Sequence, residues 1–103
     1  MREGFLVMIE QIIKRDGRTA PFELDKIANA IFGAAQSVGG QDYEMAHELA
    51  EQVEKELEKT VREKIPTVEQ IQDTVETVLI ESGHARTAKK YILYRNERTR
   101  VRE

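Results

Sequence analysis

The stretch from Val7 to Phe22 decides the fold of the N-terminal part and reads Val-Met-Ile-Glu-Gln-Ile-Ile-Lys-Arg-Asp-Gly-Arg-Thr-Ala-Pro-Phe. Its first half is apolar and rich in β-branched residues, which is typical of a strand. Asp16-Gly17 is a two-residue turn signal, because glycine accepts a positive φ without steric cost. Pro21 has no N–H to donate, so the returning strand should lie at an edge or end there. The stretch predicts a short β-hairpin over about residues 7–22.

Apolar residues at steps of three and four predict four helices after the hairpin, at about residues 24–38, 43–59, 68–82 and 85–100. Glycines at 39–40 and at 83 should end the first and third helices, and Asp42 can cap the second. Thr67-Val-Glu-Gln70 has the form of a capping box for the third. The predicted buried stripes are Leu24, Ile27, Ile31, Ala34 or Ala35 and Val38; Ala46, Leu49, Val53 and Leu57; Ile71, Val75 and Val78 or Leu79; and Ala85, Ala88, Tyr91 or Ile92 and Arg95.

These elements predict a mainly α (α+β) fold, a four-helix bundle capped by a short β-hairpin or a small three-stranded sheet. With 103 residues and 40% hydrophobic content, the chain has room for one core, so residues 1–103 form a single predicted domain. The last helix has no glycine, proline or asparagine to close it. This favours a module excised from a longer chain, with fraying of a free C-terminus as the alternative.

Composition excludes several functional classes. The chain has no cysteine, which rules out disulfides and thiolate chemistry and is consistent with a cytoplasmic protein. Its longest apolar stretches, such as Phe5 to Ile9, are far shorter than the roughly 20 residues of a membrane span. Residues 41–82 carry twelve acidic against four basic residues, and residues 83–103 carry seven basic against two acidic. The acidic block is expected to be a solvated helix face, and the basic tail lacks the interleaved aromatics of a nucleic-acid surface.

No catalytic residue or protein metal ligand is predicted. His47 and His84 lie far apart in sequence without a ligand motif, and each is interpreted as a structural residue. No Walker-type loop or Gly-x-Ser-x-Gly motif is present, and carboxylate pairs are too frequent in the second helix to be informative. The chain is therefore not expected to be an enzyme by itself.

The segment around the hairpin turn predicts an anion site. Lys14 and Arg15 supply positive charge, and Gly17 allows close approach of the backbone. Lys26 lies in the first turn of a helix, where free N–H groups favour phosphate but a cation opposes the helix dipole. A polyphosphate would offset that cost. The alternative is a surface hairpin whose basic residues are merely solvated.

Three separated blocks carry a family resemblance. Ile-Lys-Arg-Asp-Gly-Arg-x-x-Pro-Phe-x-x-x-Lys-Ile, ending at Ile27, resembles the N-terminal signature of the ATP-cone found in ribonucleotide reductases. Ile65-Pro-Thr-Val-Glu-Gln-Ile-Gln-Asp-Thr-Val and Ala88-Lys-Lys-Tyr-Ile-Leu-Tyr-Arg resemble its later blocks. The match runs in order from about Ile9 to Arg98. It implies a helical bundle under a β-hairpin that binds ATP or dATP, with Mg possible alongside the nucleotide.

The resemblance also implies roles for individual residues. Ile12 would line the adenine side, while Lys14 and Arg15 would meet the phosphates beside Gly17. Ala20 and Glu23 occupy positions where some family members place polar ligand contacts, and Ala20 has no side-chain hydrogen bond to offer, which puts ribose discrimination in doubt. The remaining candidates for the nucleotide pocket are Lys26 and Ile27 in the first helix, Gln72 in the third, and Tyr94 with Arg95 or Arg98 in the fourth.

The implied function is allosteric. Such a cone would control the activity of a ribonucleoside (tri)phosphate reductase, of the anaerobic glycyl-radical or cobalamin-dependent type, through its oligomeric state. Its implied partners are ATP or dATP, the reductase catalytic domain and other cones. Two alternatives stay open, namely the cone of a transcriptional repressor of reductase genes and a cone fused to a small-molecule kinase. The repressors carry a zinc ribbon before the cone, for which this chain has no cysteine.

Overall fold

The fold is a four-helix bundle with a β-hairpin at one end, as expected. The structure is a computed structural model that describes residues 9–61 and 65–102, with side chains described as far as Glu97. Its elements in chain order are β1 (Gln11–Ile13), β2 (Thr19–Pro21), α1 (Leu24–Gln36), α2 (Tyr43–Val61), α3 (Val68–Glu81) and α4 (Ala85–Arg102). The predicted start of the hairpin at residues 7 and 8 lies outside the described residues.

Local hydrogen bonds explain where the helices begin and end. Asp42 accepts the backbone N–H of Met45 at 3.0 Å, which confirms it as the cap of α2. Thr67 and Gln70 form the reciprocal capping box predicted for α3. At Gly83, which has a φ of 85°, the N–H of His84 donates to Leu79 O and that of Gly83 to Ile80 O. This Schellman motif ends α3.

The same motif closes α1, although the helix is shorter than predicted. The Gly40 N–H donates to Ala35 O at 2.8 Å, and the Gly39 N–H donates to Gln36 O at 3.1 Å. Gly39 has a φ of 96°, a conformation that strongly favours glycine. Residues 37–39 form the turn of this motif, so α1 ends at Gln36 and not near residue 38.

The helices pack as a square. α1 lies against α2 and α4, and α3 packs against the same two helices, so α2 and α4 occupy diagonal positions. The predicted stripes of α2 and α3 are all buried. In α4 the prediction for Ala85 is wrong, because Ala85 is exposed and Thr87 takes the buried place beside Ala88 and Tyr91. Leu57, Leu79, Val53 and Val75 are fully buried at the centre.

The hairpin differs from the prediction in its turn. Gln11 pairs with Pro21, Ile12 with Ala20 and Ile13 with Thr19, so the sheet has two strands. The Gly17 N–H donates to Lys14 O and the Lys14 N–H to Arg18 O, which closes a three-residue loop in place of the expected two-residue turn. Gly17, with a φ of 89°, supplies the left-handed residue such a loop requires. β2 ends at Pro21, as the missing N–H predicts.

Candidate functional site

The hairpin is attached to the bundle at the start of α3. The backbone N–H of Ile13 donates to Pro66 O at 2.9 Å, and Ile13 forms an isolated parallel bridge with Thr67. Ile9 is buried in the core, and Ile12 and Phe22 pack against it. β1 therefore lies between β2 on one side and the chain entering α3 on the other.

Arg15 connects the hairpin loop to α3 through its side chain. Its guanidinium donates to the Glu69 carboxylate at 2.6 Å and lies 3.4 Å from the Gln72 side-chain oxygen. The side chains of Arg15 and Glu69 are 33% and 45% exposed, so the ion pair lies at the surface and within reach of a ligand. Arg15 and Gln72, both predicted from distant blocks of the sequence, are thus in contact.

The other bases near the loop are also close to carboxylates. Arg18 donates from its backbone N–H and from Nε to Asp16, and these bonds lower the pKa of the Asp16 carboxyl below its usual range. Lys26 Nζ lies 3.6 Å from Glu23 while its side chain remains 78% exposed. Arg15, Arg18 and Lys26 therefore each lie within 4 Å of a carboxylate of the chain.

The remaining candidates from the first block surround this loop. Lys14 is exposed next to Arg15, and Gly17 lies at the tip of the loop with positive φ. Ile12 and Ile27 are partly buried and pack against the core, so they offer apolar surface at the base of the hairpin. Lys26 and Ile27 lie in the first turn of α1, immediately after β2 and Phe22. The structure therefore places this predicted group at one end of the bundle.

Arg95, a candidate from the last block, is bound by two carboxylates of α3. Its guanidinium donates to Asp73 at 2.9 Å and to Glu76, and only 19% of its side chain is exposed. Burial alone would lower the pKa of Arg95, but the hydrogen bonds to Glu76 and Asp73 outweigh it and raise the pKa. Burial also raises the pKa of neighbouring Tyr91 to about 12. Tyr94 is 47% exposed on α4, and the side chain of Arg98 lies outside the described residues.

One face of α3 carries four polar residues at steps of three and four, namely Glu69, Gln72, Asp73 and Glu76. Arg15 of the hairpin binds its first half, and Arg95 of α4 binds its second half. Sequence reasoning missed Glu69, which is 54 residues from Arg15. The available signal was only that an acidic residue is favourable in the first turn of a helix.

The two histidines do not lie on the same element of the bundle. His47 packs against the Tyr43 ring and lies 3.6 Å from Glu51, and His84 lies at the corner between α3 and α4. In the part of the chain that the structure describes, no three histidine, aspartate or glutamate side chains come together as metal ligands. None of the helices there has the length and apolar character needed to cross a bilayer.

Comparison with known proteins identifies the family. The family model described as the ATP cone domain matches residues 10–100. A vitamin B12-dependent ribonucleoside-diphosphate reductase of Thermoplasma acidophilum is 45% identical over 93% of this chain and 13% of its own length. An anaerobic ribonucleoside-triphosphate reductase of Haemophilus influenzae is 38% identical, over 89% of this chain and 13% of its own. A ribonucleoside-diphosphate reductase subunit alpha of Treponema pallidum is also 38% identical, over 88% and 11%. The chain spans about an eighth of the length of these relatives.

Proposed function

The chain belongs to the ATP-cone family, and from this premise we propose that it binds ATP and dATP at the hairpin end of the bundle and regulates a ribonucleotide reductase. The cone itself carries no reaction in this proposal, and the catalytic domain of the reductase is its partner. The relatives include reductases named as vitamin B12-dependent and as anaerobic, the two types that the sequence favours. A cytoplasmic location is part of the same proposal.

The observation that carries the proposal is the contact of Arg15 with Glu69 and Gln72. It brings the basic loop of the hairpin to the start of α3, so that residues 54 and 57 positions apart in the sequence border one surface. In this pocket Lys14, Arg15 and Lys26 bind the phosphates, and any Mg arrives with the nucleotide. Ile12 and Ile27 provide the apolar surface against which the base packs.

At this site the phosphates of the nucleotide must compete with carboxylates of the chain for the basic side chains. Arg15 is held by Glu69, and Lys26 lies near Glu23, so the phosphates must draw these bases away from carboxylates. Both basic side chains are substantially exposed, which keeps the cost of exchange small. The hydrogen bond from guanidinium to phosphate is charge-assisted, as is the bond to carboxylate that it replaces.

The polar face of α3 offers a route from the site to α4. When the phosphates take Arg15, Glu69 loses its partner at one end of a face whose other end binds Arg95. The change in charge then acts on the contact between α3 and α4, the last helix of the cone. ATP and dATP would shift the association of cones by different amounts, with a coupling free energy of about 1–3 kcal/mol.

The proposal is tested by calorimetric titration of the chain with MgATP and MgdATP. We expect saturable heat for the wild type, a loss of at least about tenfold in affinity for Arg15→Gln, and wild-type affinity for Arg86→Gln. Arg86 is exposed in the first turn of α4, at the opposite end of the bundle, so its variant is matched in charge. Absence of heat at millimolar nucleotide in the wild type would refute the proposal.

A further inference from the structure

The side of α4 that faces away from the core is basic. The buried residues of α4 lie on one side of the helix, which leaves Arg86, Lys89, Lys90 and Leu93 on the other side at steps of three and four. All four are exposed, and Leu93 is 53% exposed. None of the three bases forms an ion pair with another residue that the structure describes. We call these four residues the basic face of α4.

The outward side of α2 has the opposite charge. Glu44, Glu48 and Glu51 are exposed there at steps of four and three, and we call them the acidic face of α2. Beside them, partial burial and the like charges of Glu58 and Glu51 raise the pKa of the Glu54 carboxyl. Negative charge is therefore crowded on this side of α2, and a positively charged partner would relieve the repulsion.

Both faces lie at the end of the bundle away from the hairpin. β2 leads directly into α1, and Ile13 bonds to Pro66 just before α3, so α1 and α3 begin at the hairpin end. α2 and α4 therefore begin at the opposite end, where the two charged faces are. Lys55 and Lys59 lie farther along α2, so the acidic face is confined to the first half of that helix.

The two faces point in opposite directions. α2 and α4 occupy diagonal corners of the bundle, and each face turns away from the core. A two-fold contact through either face alone sets like charges against each other, which is unfavourable. A two-fold contact that pairs α2 with α4 twice needs both faces on one side of the molecule. The faces can therefore pair only when each copy of the chain contacts two different neighbours.

We propose that the basic face of α4 binds the acidic face of α2 in a second copy of this chain, so that the copies associate head to tail. Leu93 is covered in this contact, and Lys89 and Lys90 meet the glutamates of the neighbour. The pairs are exposed to solvent, so the association is weak and sensitive to salt. It lies away from the hairpin and needs no nucleotide, so it stands or fails independently of the proposed nucleotide site.

The test is sedimentation of the chain without nucleotide, at low and at high salt. At about 20 mM salt we expect a dissociation constant of about 0.5 mM, which gives a weight-average mass of about three chains at about 1 mM protein. At about 500 mM salt the Debye length falls from about 20 Å to about 4 Å, and the chain should be monomeric. A mass that grows past the dimer is the signature of a head-to-tail contact.

Two double variants remove one face each without reversing its charge. Lys89→Gln with Lys90→Gln neutralises the face of α4, and Glu48→Gln with Glu51→Gln neutralises that of α2. Each variant alone should associate about tenfold more weakly than the wild type. In an equimolar mixture each variant still offers one intact face, so the mixture should form a dimer that grows no further. Recovery of the dimer also shows that both variants are folded.

The matched control is Asp25→Asn with Glu81→Gln, which removes two exposed acidic charges from α1 and α3 and should associate like the wild type. Any of four results would overturn the proposal. The wild type stays monomeric at low salt, or its mass stops at the dimer. The mixture forms no dimer, which would mean that the basic face of α4 has another occupant. The control loses association as strongly as the α2 variant does, which would mean that only the net charge of the chain matters.

Discussion

Glu69→Gln should tighten nucleotide binding, because Glu69 competes with the phosphates for Arg15. The substitution keeps the size of the side chain and removes its charge at a distance of 2.6 Å from the guanidinium. Both side chains are partly exposed, so the ion pair is screened by solvent and contributes no more than about 1 kcal/mol, a factor of about 5 in affinity.

A second contribution comes from repulsion between Glu69 and the bound phosphates. A carboxylate about 6 Å from one phosphate charge costs about 0.7 kcal/mol in water, and salt screens this further. Together the two effects predict an affinity for MgATP roughly 5- to 15-fold higher at low salt, with a smaller gain at high salt. The ligand-free variant should also melt a few degrees lower, since it loses the contact between the hairpin and α3.

The assay is isothermal titration of MgATP at 25 °C into the wild type, Glu69→Gln and the control Glu76→Gln, at low and high salt. Glu76 also lies on α3 and binds an arginine, but its partner Arg95 comes from α4, so the control should show no gain in affinity. Weaker binding by Glu69→Gln would refute the competition and would mean that Glu69 positions Arg15 for the phosphates.

Three further substitutions test other parts of the structure. Lys26→Gln should weaken MgATP binding about tenfold and leave the melting temperature of the ligand-free chain nearly unchanged, because the side chain is 78% exposed. Thr67→Ala removes the capping box of α3 and should cost about 1 kcal/mol of unfolding free energy, measured by urea denaturation. The pKa of Tyr91 is raised to about 12 in the folded state, so its stabilising contribution is complete below pH 10 and is lost as the pH rises toward 12. The urea midpoint should therefore fall between about pH 10 and pH 12 in the wild type, and less steeply in Tyr91→Phe.

The sequence predicts the elements well because the signals for their ends are local. Asp42, Thr67 and Gly83 act on backbone groups within five residues of themselves, and each forms the bonds its residue type predicts. The hairpin turn was misjudged because Asp16-Gly17 suits both a two-residue and a three-residue loop. Only the pairing of Lys14 with Arg18 decides between them.

The positions of the basic residues in the predicted site follow for a similar reason. The basic residues from Lys14 to Lys26 lie within one short segment, so the hairpin necessarily brings them to one end of the bundle. The contact of Arg15 with Glu69 and the contacts of Arg95 with α3 depend on how α3 is rotated relative to the hairpin and α4. That rotation is set by packing among residues such as Val75 and Leu79, and periodicity alone does not reveal which polar residue of a helix meets which arginine.

The attachment of the hairpin to α3 also bears on which part of the chain opens first. Its contacts join residues 54 and 57 positions apart, whereas α1 with α2 and α3 with α4 are neighbours along the chain. The ion pair between Arg15 and Glu69 is also partly exposed, whereas the centre of the bundle is fully buried, so the hairpin should detach before the helices unfold. A ligand that binds only the docked state would oppose that opening alone. Hydrogen exchange at the Ile13 amide, which bonds to Pro66, should therefore slow with nucleotide long before exchange in the centre of α2 responds.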